Sequence, residues 1–85
     1  MLILWDEPKR AANLDKHGLD FADLDEAFFD DALKGDTHSG RLVAIGSLHE
    51  GIVTTVYAEL GEEAVSIISL RPASRKERRA YVQSL

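Results

Sequence analysis

Five of the ten lysines and arginines in this 85-residue chain fall in its last fifteen residues, as Arg71, Arg75, Lys76, Arg78 and Arg79, against one acid, Glu77. The other seventy residues hold fourteen acids and five bases, so a protein of net charge −5 ends in a compact patch of about +4. A guanidinium is planar and presents paired N–H groups that match the oxygens of a phosphate, so the patch suits an anion, most simply a phosphate backbone. Arg75, Arg78 and Arg79 stand three and four apart, the spacing of one helix face. The plain alternative is a solvated face that only keeps the protein soluble.

His17 is the natural acid or base, because imidazole titrates near pH 6.5 and can serve in either role. In Lys16-His17-Gly18 it also reads as a cation closing a helix C-terminus. Glu59, at a strand end, could act as a base if the basic patch lies close, and is otherwise an ordinary edge charge. His38 and His49 have no acidic or histidine partner at ligand spacing and read as surface side chains. Lys9 and Lys16 could bind phosphate. Trp5 and Tyr81 could stack on an unpaired base, although core packing is the better reading for Trp5. Asn13 either orients a neighbour or bonds a buried backbone group. There is no phosphate-cradling glycine loop, no His-Glu-x-x-His and no nucleophile elbow.

Length allows one domain, residues 1–85, with a thin core that a partner would stabilise. The absence of cysteine rules out disulfides and thiolate metal sites and fits a reducing compartment. Met-Leu-Ile-Leu-Trp is too short for a signal peptide or membrane span, which leads us to expect a soluble cytoplasmic protein with no membrane role. The acidic remainder of the chain argues for local rather than general contact with nucleic acid.

The elements that must hold these groups follow from patterning. Leu2–Trp5 is a short apolar strand. Asp6 or Glu7 caps a helix with Pro8 in its first turn, and Gly18 stops it near His17. Asp20 caps a second helix carrying Phe21, Leu24, Ala27 and Phe28 to about Phe29–Asp31. Residues 30–40 read as a loop. Arg41–Leu48, Ile52–Glu59 and Ala64–Leu70 are strands joined by short turns, hence an antiparallel meander. Ser74-x-x-Glu77 is a capping box that opens a last helix to about Ser84. The expected order is β-α-α-β-β-β-α, a small antiparallel sheet with packed helices in the α+β class.

Several of these residues form linked motifs: Trp5-Asp6, Lys9, Asn13, Lys16-His17-Gly18 and Phe21, then Arg41 to Gly46, Val56-Tyr57, Ile67 to Ala73 and Glu77 to Tyr81. Together they resemble the BrnT family of type II toxins, over nearly the whole chain from Trp5 to Tyr81. The resemblance implies a RelE-like fold and a metal-independent endoribonuclease that inhibits translation and needs no cofactor. It implies neutralisation by a BrnA-like ribbon-helix-helix antitoxin, contact with operator DNA only through that antitoxin, and a possible homodimer within the complex. Metal-free RNA cleavage requires a base for the 2′-hydroxyl, a cation for the charged phosphorane and an acid for the leaving oxygen. On this chain Arg71, His17 and Glu59 are the catalytic candidates, with Lys9, Lys16, Arg75, Arg78, Arg79 and Tyr81 as the RNA-binding ones. Ser66 and Leu60 stand where relatives commonly carry arginine, which implies an alternative: a weakened homologue that acts as a binding module in an autorepressing complex.

Overall fold

The computed structural model describes every residue except His38, so the expectation for that side chain lies outside the described residues. Five strands, Leu2–Trp5 (β1), Leu33–Asp36 (β2), Leu42–Leu48 (β3), Gly51–Leu60 (β4) and Ala64–Pro72 (β5), form one sheet in the order β1-β5-β4-β3-β2. Helix α1 spans Glu7–His17, a 3₁₀ turn spans Phe21–Asp23, and α2 and α3 span Glu26–Asp31 and Arg75–Ser84. The α+β class holds.

Three expectations need correction. The sheet is mixed, because β1 pairs parallel with β5 while all other neighbours are antiparallel. A four-residue strand far from its partner in sequence carries no signal of direction. Second, residues 33–36 are not loop but an edge strand on β3. Leu-Lys-Gly-Asp lacks strand alternation, and short, charged strands are how sheets blunt an open edge. Third, the second helix is divided. Asp20 caps only the 3₁₀ turn, accepting from Ala22 N–H at 2.9 Å, and Asp25 caps α2 afresh, accepting from Phe28 N–H at 2.8 Å. The extended Leu24-Asp25 link lets Phe21, Leu24, Phe28 and Phe29 all reach the core, where they meet Ala44, Val53, Tyr57, Val65, Ile67 and Leu70.

Gly18, in the left-handed region at φ 69°, ends α1, and Ser74 with Glu77 forms the capping box of α3. Asp6 is the N-cap of α1 but makes no side-chain capping bond. Gly46 lies under Phe28, so closely that an added Cβ would sit 2.7 Å from the ring.

The feature that decides what faces where is a bulge. Tyr57 is opposite Ile67, yet Val56 is opposite Ser69, which leaves Ile68 as an extra residue on β5. Val65, Ile67 and Leu70 are all buried in the core, a spacing that strict alternation forbids. The bulge reverses the parity of everything after it. Without it Arg71 would share the core face with Val65 and Ile67. With it Leu70 enters the core and Arg71 joins Thr54 and Ile45 on the opposite face, against which α3 packs.

Beyond the Trp5–Ile67 pair, β1 ends and β5 would present a bare edge. Asn13 of α1 takes the missing strand's place. Its amide donates to Leu70 C=O at 2.8 Å and to Leu19 C=O at 3.1 Å, and its carbonyl accepts from Leu70 N–H at 3.0 Å. This resolves the two readings of Asn13 in favour of the buried backbone.

Candidate functional site

Arg71 follows Leu70 directly and lies inside β5, ahead of the observed strand end at Pro72 rather than beyond the strand. Its fork grips Glu77 with both oxygens, Nη1 to Oε1 at 2.7 Å and Nη2 to Oε2 at 2.9 Å. Glu77 Oε1 also accepts from Ser74 N–H at 2.8 Å as half of the capping box. The Arg71 fork, first, and the Ser74 N–H hold the Glu77 carboxyl down to about 2, against a partial opposing effect of burial. The Thr54 hydroxyl adds a smaller downward pull, although it is sealed and finds no partner at hydrogen-bonding geometry. The same pairing raises the Arg71 guanidinium above its already high value. Arg71 thus ties the end of the sheet to the first turn of α3, and part of its donor capacity is already committed.

A second arginine is held in the same way. Arg10 places Nη1 on both Asp20 oxygens, at 3.1 and 3.0 Å, and its Nε on Glu7. Trp5 donates to Glu7 at 3.1 Å and packs edge-on against Phe21, in keeping with a core role. The Ala22 N–H and Arg10 lower the Asp20 carboxyl, and Arg10 with Trp5 lowers that of Glu7.

The rest of α3 is different. Glu77, Ala80 and Tyr81 face the sheet, while Arg75, Arg78 and Arg79 are exposed on the outward side beside Val82. None of the three has an ion-pair partner among the described residues. The one-face expectation for these arginines therefore holds, but their guanidinium groups do not line the cavity found in the fold. That cavity, of about 350 Å³, is lined by Asp23, Asp25, Ala27, Phe28, Asp31, Ser47, Leu48, His49 and Tyr81. It is acidic. Among the described residues no three potential ligands gather closely enough to hold a metal ion.

The remaining candidates scatter. Lys9 and Lys16 are exposed on α1, and His17 is half-buried at its end, joined by no described hydrogen bond to Arg71. Glu59 lies on β4 five residues from Thr54, the partner of Arg71, which puts the two about 17 Å apart along the sheet. Glu59 and Arg71 therefore do not share a site. Tyr81 is only 8% exposed, so its ring has little face left for stacking in the open. His49 is a surface side chain, 64% exposed, as its sequence context suggested, but it has an acidic partner that spacing did not show. It sits at φ 55° in the β3–β4 turn and its Nε2 lies 3.1 Å from Asp23 Oδ2. Twenty-six residues separate the pair, so no local spacing could reveal it.

The architecture is an α+β domain whose cationic helix lies across the back of a mixed sheet beside an acidic hollow. Residues 5–77 match the family described as "Ribonuclease toxin, BrnT, of type II toxin-antitoxin system". The crystal structure of the Brucella abortus ribonuclease toxin BrnT superposes with a TM-score of 0.83 at 49% identity, covering 88% of this chain and 99% of that one. No curated protein sequence matches the chain. The chain belongs to the BrnT family of ribonuclease toxins of type II toxin–antitoxin systems. No described helix is long and apolar enough to cross a membrane.

Proposed function

We propose that this chain is the toxin of such a pair, a metal-independent endoribonuclease with a RelE-like fold that blocks translation until a BrnA-like ribbon-helix-helix antitoxin covers it. The observation that carries this reading is the outward face of α3. Arg75, Arg78 and Arg79 are exposed and uncommitted, next to the Arg71 fork, which supports a track for the RNA backbone. Arg71 retains its Nε–H and one Nη2–H for a phosphate oxygen after binding Glu77. For acid–base work His49 is better supported than His17, since a carboxylate orients its ring. His49 is also at the same end of the sheet as Arg71: β4 begins beside it and reaches Thr54 three residues later. Contact with operator DNA passes through the antitoxin, and any second copy of this chain enters through the complex. The reading places it in the cytoplasm.

The test is cleavage of a mixed-sequence RNA by the purified protein in excess EDTA, with Arg75, Arg78 and Arg79 replaced together by alanine as the control. Cleavage that survives EDTA and collapses in the triple variant supports the reading; cleavage that requires added divalent metal removes its metal-independent part.

A second reading, the weakened toxin acting as a binding module, draws on a different surface. Leu60, Ala64 and Leu2 lie in one row across β4, β5 and β1, with Ala58, Ser66 and Leu4 in the next. They occupy the half of the back face away from Arg71, and Leu2, Leu60 and Leu4 are 63%, 50% and 45% exposed. Positions 60 and 66, where the family resemblance implies arginine, thus contribute to a bare, largely apolar strip suited to a protein partner. Restoring arginine at position 66 separates the readings: RNA cleavage that appears only then favours the module.

A further inference from the structure

The geometry points to the acidic hollow as a base-reading pocket that takes guanine, an inference that rests on the ribonuclease reading above and adds a sequence preference to it. Asp25 and Asp31 bring carboxylate oxygens with no described cation partner, since Asp25 uses one oxygen on Phe28 N–H and Asp31 makes no described hydrogen bond. The second observation is Tyr81. It is 8% exposed, it lines the hollow, and its hydroxyl has no hydrogen-bond partner among the described residues. The one sealed and unpartnered side-chain atom among the described residues is Thr54 Oγ1, so the Tyr81 hydroxyl stays open to solvent rather than being entombed.

The lining selects among cationic and aromatic ligands. Ala27, Phe28 and Leu48 form an apolar side, which a simple ammonium has no use for but the face of a heteroaromatic ring does. Single-stranded bases are read on their Watson–Crick edges and held between flat or apolar side chains. Guanine alone presents two adjacent donors on that edge, N1–H and N2–H, which match the two oxygens of one carboxylate. Adenine and cytosine each present a ring acceptor beside their amino group, and a carboxylate repels it. Uracil has one N–H flanked by two carbonyls. The Tyr81 hydroxyl can donate to guanine O6. A volume of about 350 Å³ admits the base with its ribose. Arg78 stands three residues before Tyr81 on α3 and so neighbours it on the helix surface, where it can meet the phosphate of the same nucleotide. His49, at the rim with Asp23, would then lie beside the bound nucleotide.

The experiment titrates the intact protein with guanosine, adenosine, cytidine and uridine 5′-monophosphates and follows amide and Tyr81 ring shifts by NMR. In parallel, cut sites are mapped on an RNA containing all four bases. The inference expects the guanosine nucleotide to bind at least tenfold tighter than the other three, with shifts confined to the hollow and the start of α3. It expects Asp31→Asn to erase most of that margin and Tyr81→Phe to weaken it a few-fold, and cuts to cluster beside guanosine. Equal binding of the four nucleotides overturns it, as does tighter binding of spermidine than of guanosine monophosphate. RNA cleavage without base preference overturns the pocket and leaves the ribonuclease reading standing. Guanosine-selective binding with no RNA cleavage does the reverse.

Discussion

Two sets of polar side chains meet around α3, and they behave oppositely. Asn13, Arg71 and Glu77 form a relay running from α1 through β5 into the last helix: Asn13 holds Leu70, Arg71 holds Glu77, and Glu77 holds the Ser74 N–H. Within one turn of that relay, Arg75, Arg78 and Arg79 hold nothing among the described residues. By count all four arginines belong to one basic cluster, but by geometry Arg71 is part of the frame, while the other three are exposed and, on the proposed reading, are the surface that meets RNA. The first set should therefore report on stability and the second on RNA.

The largest expected effect is at Asn13. Alanine there strands the N–H and C=O of Leu70, both buried, together with the Leu19 carbonyl. An unmet buried donor or acceptor costs about 1–3 kcal/mol, and partial access of water to the vacated site limits the sum to about 3 kcal/mol. In a domain of this size that lowers the melting temperature by roughly 12–20 °C, measurable by circular dichroism. A drop of under about 5 °C would show that water replaces the amide at little cost.

Arg71→Ala comes next. It leaves Glu77 with only its capping contacts, and the pair is partly open to solvent, 38% at Arg71 and 22% at Glu77, so about 1–2 kcal/mol is expected. The comparison is sharpened by Arg71→Lys, which keeps the charge but not the fork and should recover less than half of the stability. If Arg71→Ala melts like the parent yet abolishes cleavage, Arg71 belongs with the working surface and the division between frame and surface fails.

The same pair sets a pH window. Glu77 titrates near 4.5 when unperturbed and near 2 in the fold, so the folded state binds fewer protons between these values. Its contribution is complete above about pH 4.5 and is lost as the pH falls toward 2. At full strength a drop of that size is worth roughly 3 kcal/mol, and screening at Arg71, 38% exposed, reduces it to about 1–2 kcal/mol. Asp20 and Glu7 are lowered too and lose stability in the same direction. Denaturant titrations from pH 6 to 2.5 should show Glu77→Gln flatter than the parent across this window; parallel curves would assign acid sensitivity elsewhere.

What patterning could reveal in this chain follows the range of each interaction. The Gly18 stop, the Ser74–Glu77 box and the arginine face of α3 depend on residues three or four apart, and patterning finds those. The parallel β1, the Asn13–Leu70 bonds and the Asp23–His49 pair join residues 26 to more than 50 positions apart and leave no local trace. Arg71 is the instructive case. Its importance is readable from its type and company, but its direction is not, because one extra residue at Ile68 decides which face of the sheet it joins. Glu59 fails as a partner for the complementary reason: it does stand near a strand end, but at the end away from Arg71.

The smallest stability effect is expected where the functional effect is expected to be clear. Replacing Arg75, Arg78 and Arg79 with alanine removes three exposed cations and no described internal bond, so unfolding should shift by no more than about 0.5 kcal/mol, and alanine's helix propensity works slightly in its favour. On RNA, each phosphate that is no longer neutralised reduces the dependence of log K on log salt by about 0.7 for a single strand. Removing all three cations would lower the slope by about 2, whatever the sequence of the oligonucleotide, because binding to the backbone carries no base information. The measurement is a fluorescence-anisotropy titration across a series of salt concentrations on guanosine-containing and guanosine-free strands. An unchanged slope would mean that these arginines face a protein partner instead. A slope change seen only with guanosine-containing strands would mean that the α3 face engages the backbone only once a base is held in the hollow beside it.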